Sequence, residues 1–267
     1  MAMFMVKPWY AKKEVIPDTW LLKSWSGLTS FQGDCVWTDG ENIYYSSVTD
    51  QYILDKSTST WVSKTWNGLT SFMGYQVWTD GTNVYCSLGS DGSYADYKLD
   101  KVTSTWNSEY WGNTRPYIRD ARNIWTDGTD IYYSYDSSQY VLDKSTSTWA
   151  AKTWSGLTSY TGRYIWTDGT DIYYSKDTST QYILNKTTST WTAKTWSGHS
   201  VDGRYVWTDG TNTYESDRSR QYILDKSIGR WVSKTWYGLT SFNGVYVWTD
   251  GTKIYYSTGS TQYVLKK

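Results

Sequence analysis

Arginine and tyrosine recur side by side in this chain, at intervals of 41 residues. The residues at these places are Arg122, Arg163, Arg204, Tyr164, Tyr205 and Tyr246. A guanidinium group forms paired hydrogen bonds with a carboxylate or phosphate, and the face of a tyrosine ring packs against a sugar. These residues therefore predict a binding site for an anionic or glycan group.

Three further basic residues lie in segments that vary along the chain, and we expect them at the same site: Lys176, Arg218 and Arg220. All eight arginines fall within residues 115–230, whereas most lysines lie in segments that repeat. An alternative stays open, in which these arginines only cap strands and solvate the surface.

Catalytic groups are scarce. His199 is the only histidine, it stands where other repeats have leucine, and it is interpreted as a solvated substitution. One histidine and two cysteines do not supply the several nitrogen or sulfur ligands of a copper or zinc site. Ten of the 22 aspartates lie in two turns that recur along the chain, and no pattern assembles the glutamates. We therefore expect no enzyme activity, no catalytic residue, no metal and no cofactor.

The elements that position these residues come from an internal repeat. The tetrapeptide Trp-Thr-Asp-Gly begins at Trp37, Trp78, Trp125, Trp166, Trp207 and Trp248, with one spacing of 47 residues and otherwise 41. In the first unit the pattern predicts strands over 33–37, 43–45, 51–54 and 61–66. Short polar turns between the strands require antiparallel pairing, and four such strands make one blade of a β-propeller.

The two ends of the chain complement each other. The sixth unit stops at residues 263–267, before its fourth strand, and residues 18–25 have the pattern of that missing strand. Pairing the two segments closes a ring and removes an exposed strand edge. The sequence thus predicts an all-β domain over residues 18–267, a six-bladed β-propeller of four-stranded antiparallel blades closed by the N-terminal strand. Residues 1–17 are expected to form an N-terminal arm.

The repeats differ mainly in three places: the connection between the second and third strands, the connection between blades, and the start of the first strand. In an up-and-down blade all three emerge on one face, while the near-invariant Asp-Gly and Asp-Lys-Ser-Thr turns lie on the other. We therefore expect recognition by the variable face, since binding residues concentrate on loops held by a rigid frame. The arginines and tyrosines then lie near the mouth of the central channel.

The bulk composition argues against other classes of protein. The chain has 26 basic and 26 acidic residues, and a nucleic-acid binder needs a basic excess. No segment approaches the roughly 20 apolar residues of a membrane span, and the first residues lack the apolar core of a signal peptide. We expect neither nucleic-acid binding nor membrane insertion, and the oligomeric state stays open.

Residues 139–149 resemble the Tyr…Asp…Trp core of kelch repeats, and similar segments recur in every unit. The aromatic, Ser/Thr-rich units also look similar to tail or surface-appendage proteins of bacteriophages and of prophages of gut bacteria. The resemblance implies a kelch-like propeller, located in the virion if it is a phage component. We expect a non-catalytic recognition or assembly module that binds a glycan or protein partner. A polysaccharide-active enzyme and a purely structural repeat protein are the alternatives.

Overall fold

The strands form six antiparallel sheets that are the blades of a propeller. The computed structural model describes residues 18–90, 93–111, 116, 118, 120–176 and 180–267. The expected arm of residues 1–17 lies outside the described residues. The all-β, six-bladed fold predicted from the repeats is confirmed.

The first strand of the chain, β1 (Thr19–Leu22), belongs to the last blade. Blade 1 consists of β2 (Val36–Thr38), β3 (Ile43–Ser47), β4 (Asp50–Asp55) and β5 (Thr60–Ser63). Blade 2 consists of β6 (Val77–Thr79), β7 (Val84–Ser90), β8 (Ser93–Asp100) and β9 (Thr105–Glu109). Blade 3 consists of β10 (Ile124–Thr126), β11 (Ile131–Tyr135), β12 (Ser138–Asp143) and β13 (Thr148–Ala151).

The second half of the ring repeats this order. Blade 4 consists of β14 (Ile165–Thr167), β15 (Ile172–Tyr174), β16 (Gln181–Asn185) and β17 (Thr190–Lys194). Blade 5 consists of β18 (Val206–Thr208), β19 (Thr213–Arg218), β20 (Arg220–Asp225) and β21 (Arg230–Ser233), and the short β22 (Phe242–Asn243) pairs with β19. Blade 6 consists of β23 (Val247–Thr249), β24 (Ile254–Thr258), β25 (Thr261–Lys266) and β1.

The N-terminal strand closes the ring, as predicted. β1 pairs antiparallel with β25, so that Thr19 lies opposite Lys266 and Leu22 lies opposite Tyr263. The side chain of Trp20 is buried among aromatic residues of blades 5 and 6. Closure therefore rests both on strand pairing and on aromatic packing.

The tryptophan of each Trp-Thr-Asp-Gly turn packs between neighbouring blades. The ring of Trp37 in blade 1 stacks on Tyr44 at 4.4 Å and lies 5.9 Å from the ring of Trp106 in blade 2. Its indole N–H donates a 2.8 Å hydrogen bond to Oγ of Ser46. The same bond to a serine nine residues later is present in all six blades. A polar group that burial would otherwise leave unpaired is thus satisfied in every repeat.

Replacing Ser134 with alanine leaves the indole N–H of Trp125 without its partner at a fully buried position. An unsatisfied buried donor costs about 1–3 kcal/mol, and we expect the free energy of unfolding in urea to fall by that amount. The control is Ser63→Ala, at an exposed position of a strand. An equal loss in both variants would contradict the assigned role of the hydrogen bond.

The start of each blade differs from the prediction. Residues 33–37 were expected to form one strand, but Gly33–Cys35 is a 3-10 turn and only Val36–Thr38 pairs with β3. The other turns are Gly74–Gln76, Ala121–Asn123, Gly162–Tyr164, Gly203–Tyr205 and Gly244–Tyr246. Each turn packs against the turns of both neighbouring blades, so the six surround the central channel.

The crowding of this ring explains the glycine that begins five of the six turns. A Cβ atom on Gly74 would lie 1.8 Å from the carbonyl oxygen of Cys35 in the preceding turn. Such close approach of two backbones is possible only without a side chain. Among the helical segments of the described ranges, none has the length and apolar character needed to cross a membrane.

The Asp-Gly turns of the uniform face hold their carboxylates in hydrogen bonds. In blade 1 the Asp39 carboxylate accepts bonds from the backbone N–H groups of Glu41 and Asn42, at 3.0 and 2.8 Å, and from the Tyr44 hydroxyl at 3.0 Å. Burial works to raise the pKa of Asp39, but the hydrogen bonds outweigh it and hold this pKa below the ordinary value. The same balance lowers the pKa of the equivalent residues, Asp80, Asp127, Asp168, Asp209 and Asp250.

Acid is expected to destabilise the propeller through these aspartates. A carboxylate with a lowered pKa in the folded state stabilises the fold above its unfolded pKa, and that contribution is lost as the pH falls through the folded pKa. The ordinary pKa is 3.8. We expect the free energy of unfolding in urea to decline steeply below about pH 4. A value that stays level down to about pH 3 would contradict this account.

Candidate functional site

The connections that vary between blades lie together on one face. In blade 3 the backbone N–H of Tyr160, in the connection to blade 4, donates a 3.0 Å bond to the carbonyl of Asp136, in the connection between β11 and β12. The side-chain amide of Gln139 donates to the same carbonyl at 2.6 Å and to that of Tyr160 at 3.4 Å. Gln51 and Gln221 join the corresponding connections in blades 1 and 5. The 3-10 turns follow directly, so this variable face is continuous with the channel mouth.

Three cations surround the ring of Tyr164 in blade 4. The ring centroid lies 5.9 Å from Cζ of Arg163, 5.4 Å from Nζ of Lys176 and 5.3 Å from Cζ of Arg204. The guanidinium of Arg204 also lies 5.1 Å from the ring centroid of Tyr205. We call these five residues the Tyr164 cluster. The structure therefore brings five of the predicted binding residues together, from two blades.

A carboxylate fixes the orientation of Arg204. Oδ2 of Asp202 lies 2.5 Å from Nη2 and 3.0 Å from Nε of Arg204. Asp202 also accepts the backbone N–H of Arg204 at 3.0 Å. Hydrogen bonding to Asp202 raises the pKa of Arg204 above its ordinary value, so the guanidinium stays charged. The pair is held rigid, which lowers the entropy lost when a ligand binds.

Arg163 has fewer polar contacts than Arg204. Its Nε is buried and has no hydrogen-bond partner in the described part of the chain. No carboxylate of the described ranges forms an ion pair with it. A buried donor without a partner is energetically unfavourable, so a ligand acceptor at this position would relieve that cost.

Arg122 and Tyr246 lie apart from the Tyr164 cluster. Arg122 pairs with Asp120 at 2.8 Å and lies over the ring of Tyr75 in blade 2, at 4.6 Å from its centroid. Tyr246 packs against the aromatic core between blades 5 and 6. In blade 1 the place that Arg122 has in blade 3 is taken by Asp34. Burial raises the pKa of Asp34, and the positive charge of Arg122 opposes that rise. A shared position in the repeat therefore does not imply a shared site.

A cavity of about 530 Å³ opens beside Arg204, and we call it the blade-5 cavity. Arg204 and Tyr205 line it from the 3-10 turn, and Asp217 lines it from β19. The predicted residues Arg218 and Arg220 line the same cavity, so they lie next to the Tyr164 cluster. The cavity is further lined by Asp202, His199, Ser200 and Glu215.

The interpretation of His199 as a solvated substitution is wrong. Its side chain is 11% exposed and stacks on Tyr222, with ring centroids 3.9 Å apart. Nε2 of His199 lies 3.2 Å from Oε2 of Glu215, whose side chain is 2% exposed. The two atoms are in close contact, but the contact is not a directed hydrogen bond. Burial raises the pKa of Glu215, and the nearby His199 opposes that rise.

Blade 5 lacks a pair of aromatic rings that blades 1, 4 and 6 have beside the second strand. In blade 1 the rings of Phe31 and Tyr45 lie 5.5 Å apart, and the equivalent pairs of blades 4 and 6 lie 5.4 Å apart. Blade 5 has Val201 and Glu215 at these places. The signal in the sequence was a glutamate in Thr-Tyr-Glu-Ser, where four of the other five repeats read Ile-Tyr-Tyr-Ser. Of these two residues, Glu215 lines the blade-5 cavity, whereas Val201 is fully buried.

Comparison with protein-family models and with curated proteins finds no match for this chain. The geometry of the variable face therefore has to carry the functional argument. The Tyr164 cluster and the blade-5 cavity together present guanidinium groups, carboxylates, a hydroxyl and aromatic rings on one continuous surface. This combination suits a polar ligand held by hydrogen bonds and ring contacts.

Proposed function

We propose that the protein is a non-catalytic recognition module that binds a glycan through the variable face, at the Tyr164 cluster. The observation that carries the proposal is the placement of three cationic side chains around one tyrosine ring, at the edge of a 530 Å³ cavity. The volume lies within the range of about 300–1,000 Å³ that is common for ligand sites.

The ion pairs of the face favour a glycan over a highly charged ligand. Arg122, Arg204 and Arg220 are each paired with an aspartate, so the surface offers hydrogen-bond acceptors as well as donors. Sugar hydroxyls need both, whereas a polyanion needs unneutralised cations. A peptide that presents hydroxyl and carboxylate groups is the second candidate, since the same contacts would serve it.

The fold supports a recognition role, because a closed ring holds its loops on a rigid frame. The proposal includes a place among kelch-like propellers, such as phage-like appendage components, supported by the repeated Tyr…Asp…Trp pattern. The repeat alone carries no ligand specificity, since one fold hosts many functions.

The test is a glycan-array screen, followed by calorimetry with the best ligand. The double variant Arg163→Ala/Arg204→Ala removes two of the three cations around Tyr164, and we expect at least about a 100-fold loss of affinity. Each hydrogen-bonded charged contact contributes about 1.5–3 kcal/mol, and about 1.4 kcal/mol is a factor of ten. The temperature of thermal unfolding should fall only modestly, since both side chains are half-buried and Asp202 keeps the backbone N–H of residue 204 as a hydrogen-bond donor.

The matched control is Arg122→Ala, which removes the same charge from the same place in the repeat but outside the Tyr164 cluster. Its affinity should stay within about threefold of the wild type. Equal losses in the control and the double variant, or much earlier melting of the double variant, would contradict the proposed site. Shortening of the glycan during the assay would instead support an enzyme.

A further inference from the structure

We infer that the blade-5 cavity binds one sugar unit bearing a single carboxylate, as in a hexuronic acid, with Arg218 as the carboxylate-binding residue. The inference rests on the proposed glycan-binding function and names the ligand class that distinguishes this cavity from the rest of the variable face.

The cavity has one guanidinium that no carboxylate neutralises. Asp202 pairs with Arg204, Asp217 pairs with Arg220, and Glu215 approaches His199. Arg218 forms no ion pair within the described ranges, and its side chain lines the same cavity. A single unpaired guanidinium fits one carboxylate, with which it forms two parallel hydrogen bonds.

The backbone of Arg218 is a second, independent observation. Its φ is 55°, in the left-handed region that residues other than glycine, asparagine and aspartate rarely adopt. The equivalent places are Asp136 in blade 3 and Gly259 in blade 6, both of which tolerate this conformation well. Blade 5 therefore has an arginine where the turn favours a smaller residue, and such strain concentrates at ligand sites.

The other lining groups suit sugar hydroxyls and disfavour a doubly charged anion. The carboxylates of Asp217 and Glu215 are hydrogen-bond acceptors, and the Ser200 hydroxyl both donates and accepts. The Tyr205 ring, with Arg204 beside it, offers a flat surface to a pyranose. A phosphate in the cavity would bring two charges close to several carboxylates with only Arg218 free to compensate, so the carboxylate is favoured.

Blade 5 departs from the repeat at a residue that lines this cavity, Glu215. Aromatic rings take the places of Val201 and Glu215 in blades 1, 4 and 6. Glu215 and His199 are both nearly enclosed, so polar groups line the inner part of the cavity, where those blades have apolar rings. A polar ligand is therefore the occupant that this lining fits.

The experiment compares binding of four probes by calorimetry. They are an oligosaccharide with one glucuronate unit, the same oligosaccharide with that carboxyl group reduced to an alcohol, an analogue carrying a 6-phosphate there, and an acidic peptide. Wild-type protein should bind the glucuronate form at least about tenfold more tightly than the other three, as expected for one guanidinium–carboxylate pair. The variant Arg218→Gly should lose this preference and keep its affinity for the reduced form.

Arg218→Gly introduces the residue that blade 6 has at this place, Gly259. Glycine adopts the left-handed backbone conformation without strain, so the variant is expected to fold. Equal binding of all probes by the wild type, stronger binding of the phosphate or the peptide, or a preference that survives in Arg218→Gly would each overturn the inference. Such results leave the Tyr164 cluster intact as a binding site. Failure of the proposed function appears separately, as glycan affinity that the Arg163→Ala/Arg204→Ala variant retains.

Discussion

Replacing Trp20 with alanine is expected to lower the free energy of unfolding by about 3–5 kcal/mol. Trp20 is 1% exposed, and its ring centroid lies 6.1 Å from that of Trp207, 5.9 Å from Trp236 and 5.3 Å from Phe242. The truncation removes a large buried ring from the contact between blades 5 and 6, in the strand that closes the propeller. Urea denaturation followed by far-ultraviolet circular dichroism measures the loss without relying on tryptophan emission.

The control for Trp20 lies two residues away in the same strand. Leu22 is 79% exposed, and Leu22→Ala is expected to change the free energy of unfolding by less than about 0.5 kcal/mol. A loss under about 1 kcal/mol for Trp20→Ala would mean that β1 does not hold the ring together. Losses of similar size in both variants would indicate an effect on the strand rather than on the buried ring.

The second prediction is a rise in the free energy of unfolding, not a loss. The double variant His199→Leu/Glu215→Tyr should raise the free energy of unfolding by about 1–4 kcal/mol, because well-packed side chains often stabilise a fold more than a buried pair of titratable groups does. Blade 1 has this combination as Leu28 and Tyr45, and its tyrosine packs against the blade core. Urea denaturation at pH 7 measures the change.

The single variant His199→Leu tests whether the gain in stability requires both members of the pair to be replaced. His199→Leu alone leaves the Glu215 carboxyl group buried without its partner, and should be less stable than the wild type. A double variant less stable than the wild type by more than about 1 kcal/mol would show that the pair stabilises the fold.

If the double variant is more stable than the wild type, the His199–Glu215 pair is a feature that lowers stability. Proteins commonly retain such features where function requires them. The same variant fills the blade-5 cavity, so its preference for a glucuronate ligand should disappear while binding at the Tyr164 cluster remains.

Several features of the fold could be derived from the sequence because every blade is subject to the same constraints. The tetrapeptide beginning at Trp37 and its five copies set the number of blades, and the missing fourth strand after Tyr263 required a partner at the other end of the chain. Unpaired strand edges are unfavourable, so residues 18–25 had to supply that partner. Comparison of the copies also identified the face on which the blades differ.

The first strand of each blade was predicted to begin three residues too early, for a reason that a single repeat does not reveal. Gly33–Cys35 and its equivalents form 3-10 turns because six backbones converge around one channel. A Cβ atom at Gly33 would lie 2.1 Å from the carbonyl oxygen of Tyr246, which comes from the far end of the chain. Periodicity within one blade carries no information about that crowding.

The sequence by itself determined the closed six-bladed ring, its uniform and variable faces, and the arginines and tyrosines beside the channel. Only the tertiary structure decided which of them meet: Arg163 and Arg204 gather at Tyr164, Arg122 turns to Tyr75, and His199 is buried against Glu215. The physical reason is that strand pairing follows from a pattern every repeat shares, whereas side-chain partners depend on loop lengths and on the one neighbouring blade that each residue faces.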